Sequence, residues 1–374
     1  MNIHKKIMME QKANSLSRAV QYLLLLFLLF AGLYFSAGIL MPIALAGIMA
    51  MLFLPLSRWL EKKGINRTVG AVICVLLLLL VIGLMIFLFS WRVSNLQANL
   101  DQMEQQANKY IGQLQQLIND RFGVSKEQQD AMLKKQGSSG AGNVATYIAS
   151  FAAGFLGSLT TGILVLIYIF LFINSRKHFK NFILKLVKKE HQAKTNTIIE
   201  EASGVAQNYV SGLAKMIVCL WVMYGIGFSI VGVQNAFFFA ILCGTLEIIP
   251  FVGNLTGTSL TVLMAVAQGG GSTMVISVLI TYGLVQFIQS YILQPLVVGK
   301  DVDVNPFFTI MVLVLGDTLW GIGGMVLSIP LLGMLKIVFD HIEPLKPYGY
   351  LIGNGDEKKP DKPLTTKIKS WFKK

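Results

Sequence analysis

Long unbroken apolar runs, rather than alternating ones, set the pattern of this chain. Val20–Leu40, Val69–Ser90, Ile148–Ile173 and Met216–Val233 each approach or exceed the ~20 apolar residues that a helix needs to cross a bilayer. The pattern predicts membrane helices at about 20–40 and 42–60, joined by a tight turn before Pro42. Further membrane helices are expected at about 69–91, 147–174 and 211–233. The first run is too long, and followed by too many others, to be a cleaved signal peptide.

Beyond the third run the period changes. Val93, Leu96, Leu100, Met103, Ala107, Tyr110, Leu114 and Leu117 follow alternating steps of three and four, an a/d heptad stripe. Ser125 and Gln128 fit a capping box for a second short helix, and GSSGAGN at Gly137–Asn143 reads as a linker. Residues 92–146 are therefore expected to form an extramembrane, extracytoplasmic helical hairpin. After the fourth run, Phe179, Phe182, Ile183, Leu186 and Val187 share one helical face. Lys180, Lys185, Lys188 and Lys189 lie mostly on the other. This predicts an interfacial amphipathic helix attracted to anionic lipid, with another helix at about 195–210.

In the second half the apolar pieces are shorter. Pieces 235–249 and 254–268 are interrupted at Pro250–Gly253 and closed by Gly269–Gly271. A full-length helix at about 273–297 follows, then pieces 306–316 and 321–340, interrupted at GDTLWGIGG. A piece of ~15 residues spans only ~22 Å, short of the ~30 Å hydrocarbon core. A long helix followed by a broken pair thus occurs twice, starting from opposite sides, as in an inverted repeat. Each pair could be a re-entrant hairpin or two short crossings. The expected fold is an all-α polytopic membrane protein of about eight membrane segments. Its expected divisions are 1–91, 92–146, 147–210, a transport core at 211–340 and a basic tail at 341–374.

Composition sharpens this. The chain is 54% hydrophobic and only 14% charged, where a soluble domain carries about 25%. A formal net charge of +13 could suit nucleic acid, but the cations fall in four stretches. These are Lys5–Arg18, Arg58–Arg67, seven Lys/Arg from Arg176 to Lys194 and eight lysines from Lys346 to Lys374. That distribution is the positive-inside signature, which places both termini in the cytoplasm and argues against a nucleic-acid partner. Cys74, Cys219 and Cys243 lie in apolar runs, and His4, His178, His191 and His341 lie outside them. No metal or disulfide spacing results, and GxSxG, HExxH and P-loop motifs are missing. No cofactor and no enzymatic activity are expected.

GTLEIIPFVGN, Gly244–Asn254, carries the strongest chemical signal. A charged carboxylate at mid-membrane costs roughly 2.5–3.5 kcal/mol, so Glu247 must be protonated, paired or facing a wet cavity. Pro250 and Gly253 free backbone groups beside it, which is tolerated at that depth only where the chain is buried or lines water. The arrangement predicts a polar pocket with Glu247 as ligand for a cation, a proton or solute hydroxyls. The plain alternative is an interfacial glutamate at a helix end. Asp317 and Thr318 fall at the second break, where Asp317 could bind solute or cap the next helix. Asn254 could bind a hydroxyl or cap its own helix. Gln286 and Gln289 share a face, lining a path or joining helices by hydrogen bonds of about 0.6 kcal/mol.

LEIIPFVGN, Leu246–Asn254, resembles a signature of the autoinducer-2 exporter (PerM-like) family of permeases. A longer stretch, QPLVVGKDVDVNPFFTIMVLVLGDTLWGIGGMVLSIPLLGMLK, is also similar to it. There Pro295, Gly299, Asn305, Pro306, Gly321, Gly324 and Pro330 fall in the family's spacing. The resemblance covers about 20–345, with its specific motifs between 244 and 331. It implies a secondary permease of the bacterial cytoplasmic (inner) membrane that exports autoinducer-2 or another small polar solute. Some members are described as sodium(lithium)/proton antiporters, which makes a proton or sodium the coupling ion to consider. It also implies a ring-like homo-oligomer, a pentamer among the expected forms. Two departures, Asn254 where proline is common and Asp317 in a stretch that is usually glycine-rich, add polarity at the candidate site. A non-transporting scaffold is the third reading, disfavoured because a scaffold has no use for polar breaks at membrane depth.

Overall fold

The structure, a computed structural model, describes residues 3–97, 112, 116, 159–250, 252–298 and 304–355. The heptad stripe from Leu100 onward, the capping box, the 137–143 linker and the lysine tail beyond 355 lie outside the described residues, two isolated helical positions apart.

All regular structure among the described residues is helical. The elements are α1 (Ile3–Phe35), α2 (Ala37–Lys62), α3 (Arg67–Gln97), α4 (Leu159–Leu186) and α5 (Gln192–Val231). Then come α6 (Ala236–Leu246), α7 (Val252–Ala267), α8 (Gly271–Ile288), a π-helix (Gln289–Val298), α9 (Pro306–His341) and α10 (Lys346–Ile352). Six of the described helices are long and apolar enough to cross a membrane. Their outer faces, such as Leu80, Ile226 and Ile280, remain exposed as lipid-facing surfaces would. The protein is an all-α polytopic membrane protein.

Three boundaries differ from the sequence expectation. The first two helices part at Ser36, not at Pro42, and both Pro42 and Pro55 lie inside α2. Proline is tolerated in membrane helices, where neighbours re-satisfy the freed carbonyl, so Pro42 marks no boundary. The fourth membrane helix and the amphipathic segment form one helix, α4, because no glycine or proline separates Ile173 from Leu186. Likewise the expected helices at 195–210 and 211–233 are one 40-residue helix, α5. At about 60 Å it is twice the length of the bilayer core, and its first turns pack beside the end of α4, with Gln192 Nε2 donating to Leu184 O at 3.0 Å. Gly232, left-handed at φ +82°, ends it.

Both interrupted pairs are closed hairpins. In the first, a Cβ on Gly253 would collide with the Leu246 carbonyl, and one on Gly257 would sit 3.0 Å from Cys243 Cα. Arms α6 and α7 therefore run antiparallel in near backbone contact. Gln268 Oε1 accepts from Gln234 N at 2.6 Å, and Gln268 Nε2 donates to Gly232 O at 3.0 Å. The hairpin thus returns to the end where α5 stops. Its first arm, 11 residues, is about 17 Å long and cannot cross a bilayer core of about 30 Å.

The second hairpin hides within α9. Trp320 and Gly321 leave helical geometry, Gly321 at φ +59° and ψ −144°. Ser328 Oγ donates to Val312 O at 2.9 Å, although a straight helix would hold these residues about 24 Å apart. The chain therefore doubles back, and Gly316 and Gly324 meet where a Cβ on either would strike the other's carbonyl. Asn305 opens this hairpin, its side chain accepting from Phe307 N at 2.9 Å with Pro306 at the first helical position. Asn305 N donates to Ile352 O at 2.8 Å, and His341 Nε2 lies 3.4 Å from Glu201. Its mouth therefore lies at the end where α5 begins. Its tip reaches the α1–α2 turn, with Trp320 Nε1 donating to Leu33 O at 2.9 Å. The two hairpins enter the bundle from opposite ends, the arrangement of an inverted repeat.

The end where α5 begins is the basic end. There Arg176 on α4 donates to Glu61 Oε2 at 2.7 Å and to Ser57 Oγ at 3.2 Å, both on α2. Arg67 on α3 approaches the same carboxylate at 3.7 Å. Glu61→Gln would leave two guanidiniums facing each other across three helices. The pair is part-buried, so its loss should cost about 1–3 kcal/mol, between an exposed pair and a fully buried one. A thermal melt of the detergent-solubilised variant measures it; an unchanged Tm would mean that Ser57 and solvent hold Arg176 unaided.

Candidate functional site

The tip of the first hairpin, Glu247 to Gly253, carries the candidate site. Leucine- and phenylalanine-rich α6 propagates to Leu246 and stops there, since Pro250 offers no N–H to continue it. Glu247 becomes the C-cap residue of α6. Gly253 is required because the tip turns against the Leu246 carbonyl.

Opposite the tip stands one face of α8. Tyr282, Gln286 and Gln289 recur at steps of four and three, so they align along the helix. Gln289 Nε2 donates to Glu247 Oε1 at 2.8 Å. Tyr282 Oη donates to Asn254 Oδ1. Gln286 Nε2 donates to Tyr224 Oη on α5 at 3.1 Å. Tyr224 stacks between Phe228, at 5.3 Å, and Tyr282, at 6.5 Å between ring centroids. A short polar ladder therefore joins α5, α7, α8 and the hairpin tip inside an apolar cluster that contains Met216, Leu220 and Val285. Trp221 Nε1 bonds Thr245 Oγ1 at 3.3 Å, fastening the tip to α5 from the other side.

Two features open this ladder to a ligand. Gln289 is 6% exposed, yet its Oε1 has no hydrogen-bond partner among the described residues, and neither does Glu247 Oε2. Buried acceptors left unpartnered cost about 1–3 kcal/mol each, which a ligand carrying donors, a water or a cation would relieve. Further, α8 changes to a π-helix at Gln289. Such a widened turn is common where a helix serves a site.

Of the residues expected from sequence, Glu247, Pro250, Gly253, Asn254, Gln286 and Gln289 are gathered here. Asp317 and Thr318 are not. They lie on the exposed flank of the second hairpin near its tip, where Thr318 Oγ1 only returns a bond to Val314 O at 2.8 Å. That tip packs on α1 and α2, with a Cβ at Gly323 meeting Met41. The broken pairs are alike in build but do not face one another with their polar residues. Nor does Asp317 cap a helix start, since the kink falls three residues later at Trp320 and Gly321. Tyr224 and Tyr282 were missed. Tyr282 could have been found, standing one turn before Gln286 on the same face; Tyr224, in the apolar stripe with Leu220 and Phe228, gives no sequence signal.

A half-buried carboxylate at the tip of a helical hairpin, matched by a second hairpin from the opposite end, is the build of a membrane solute transporter. Residues 23–343 match the family model for the AI-2E family transporter. The chain belongs to that family. It is 26% identical over 328 residues to "Putative transport protein YueF" of Bacillus subtilis (strain 168), covering 82% of this chain and 85% of the relative. It is 22% identical over 335 residues to "Putative transport protein YhhT" of Escherichia coli (strain K12), covering 89% and 93%.

Proposed function

We propose that this transporter exports a small polar organic solute, of autoinducer-2-like character, by alternating access across the bacterial cytoplasmic membrane. The observation that carries the reading is the pair of unpartnered acceptors, Glu247 Oε2 and Gln289 Oε1. Hydroxyl donors of a polyol or hydrated furanone would satisfy both, while Tyr282, the half-buried end of the aromatic stack, offers flat apolar surface to its ring. Two hairpins that enter the bundle from opposite ends, the first carrying the site at its tip, suit a rocking exchange of access. The membership supports transport. The solute is proposed from the site's chemistry and from the family's name.

A second reading has its own support. The same two acceptors, one a carboxylate, are hard oxygen ligands that also suit sodium or a proton, which makes sodium(lithium)/proton antiport the alternative. Proteoliposomes separate the two. Export predicts uptake of a labelled furanone-type solute into inverted vesicles without need of a sodium gradient. Antiport predicts sodium-driven change in internal pH without any organic solute. Absence of both, with folded protein in the bilayer, would overturn the site assignment.

The orientation proposed puts the basic end in the cytoplasm. In a background lacking Cys74, Cys219 and Cys243, Ser272→Cys should react with an impermeant maleimide on intact cells. Lys188→Cys should react only after permeabilisation. The reverse pattern would invert the transporter. A ring-like homo-oligomer, a pentamer among its forms, belongs to the same proposal; mass photometry of detergent-extracted protein tests it.

A further inference from the structure

A cavity lined by cations lies away from the Glu247–Gln289 site, at the basic end between α2, α4 and α5. Its volume is about 550 Å³. Arg58, Arg176, Lys177 and Lys180 line it, against a single carboxylate, Glu200. Lys180 is bonded to Glu200 at 3.1 Å, so one cation is neutralised in place. Arg58 and Lys177 make no ion pair among the described residues. Arg176 is held rigid by Glu61 and Ser57, which occupies only part of a guanidinium's five donors. A fixed Arg flanked by two free cations is a fork for a tetrahedral oxyanion. Ser203 and Gln207 add neutral polar groups to the wall.

The fold does not require this room. Gly204 lines the cavity, and a Cβ there would meet nothing within 4 Å. Stability alone would favour alanine in the middle of helix α5, by roughly 0.5–1 kcal/mol. The surroundings say what kind of phosphate fits. The cavity lies where α2 and α4 leave their apolar spans, and the outer faces of those helices expose Trp59, Phe182 and Leu186 at 52%, 56% and 69%. Indole and aliphatic groups at that level sit among lipid headgroups and upper acyl chains.

We propose that this cavity is a binding site for a phosphate-bearing anion, with Arg58, Arg176 and Lys177 as its ligands and an anionic phospholipid headgroup as the favoured source. A headgroup held there would tie α2, α4 and α5 together at the membrane boundary. The site is independent of the transported solute.

The test is a titration of the detergent-purified full chain, followed by microscale thermophoresis, with dioleoylphosphatidylglycerol, dioleoylphosphatidylcholine and inorganic phosphate as separate probes. Two variants are compared with wild type: the double Arg58→Ala/Lys177→Ala, which removes charge, and Gly204→Leu, which fills the cavity and leaves every charge in place. Phosphatidylglycerol should bind more tightly than phosphatidylcholine, and the double variant should weaken it about 30-fold. Gly204→Leu should weaken it to a similar degree. Inorganic phosphate binding with the same sensitivity to both variants would support the site and make a soluble phosphate its source. Equal binding of the two lipids with no response to phosphate, or binding that neither variant changes, would overturn it. Should Gly204→Leu fail to elute as folded protein, the double variant decides alone.

Discussion

Glu247→Gln should raise the melting temperature of this transporter and at the same time depress its transport. Glu247 Oε1 already accepts from Gln289 Nε2, while Glu247 Oε2 and Gln289 Oε1 lack donors. A glutamine at 247 supplies the missing donor. Its amide can pair reciprocally with Gln289, replacing one orphaned acceptor and satisfying the other, Gln289 Oε1, within the protein. Relief of one unsatisfied buried group is worth about 1–3 kcal/mol, a rise of several degrees in a thermal melt. The ligand then competes with an internal pair and loses its charged acceptor, so transport should fall by about 10- to 100-fold, the loss of a charge-assisted bond. The combination of a more stable and less active protein is what a functional site with stored polar strain predicts. In an antiporter the same change removes the titrating group, and exchange together with its pH dependence should vanish. Wild-type transport at a raised Tm would leave Glu247 a merely structural cap.

The sequence carried this site unevenly, for physical reasons that can be named. Glu247, Pro250 and Gly253 were legible because a carboxylate and two helix breakers in an apolar run have no explanation from packing. Gln286 and Gln289 were legible because helical spacing puts them on one face. Pairing across helices was not. Nothing in α5 marks Tyr224 as the partner of Gln286, because a buried tyrosine in a hydrophobic stripe looks like core. Asp317 misled for the complementary reason. Its neighbours Gly316, Gly321, Gly323 and Gly324 imply a break, but glycine serves either an open pocket or close packing. Here Gly316 and Gly324 bring two arms together, while Gly321 supplies the left-handed turn. Continuity was the other blind spot. Polarity changes at Asn174 and Ser211 looked like helix boundaries, yet a helix continues through a polarity change: no glycine or proline separates Ile173 from Leu186, and α5 runs through Gly212 without a proline to stop it.

That close packing yields the last prediction. Gly316→Ala places a Cβ against the Gly324 carbonyl and Ser328 Oγ, and Gly324→Ala places one against the Gly316 carbonyl. Neither neighbour is a flexible side-chain end that can swing aside, since even Ser328 is tied to Val312 and Gly324. The arms of α9 must separate. Each variant should cost about 1–3 kcal/mol, as overpacking of a tight interior does, and release the Ser328–Val312 bond. Because both substitutions strain one contact, the double variant should cost clearly less than the sum of the singles. Gly283→Ala is the control: it lies within helix α8 with nothing within 4 Å of the added carbon, and should be neutral or stabilising by roughly 0.5–1 kcal/mol. Thermal melts of the four variants in one detergent read these differences directly. Transport should fall with arm separation, since the Trp320 tip would lose its seat on Leu33 and with it the link between the second hairpin and α1. Fully additive losses would mean that the two glycines act at separate places, and that the arms of α9 do not meet at this crossing.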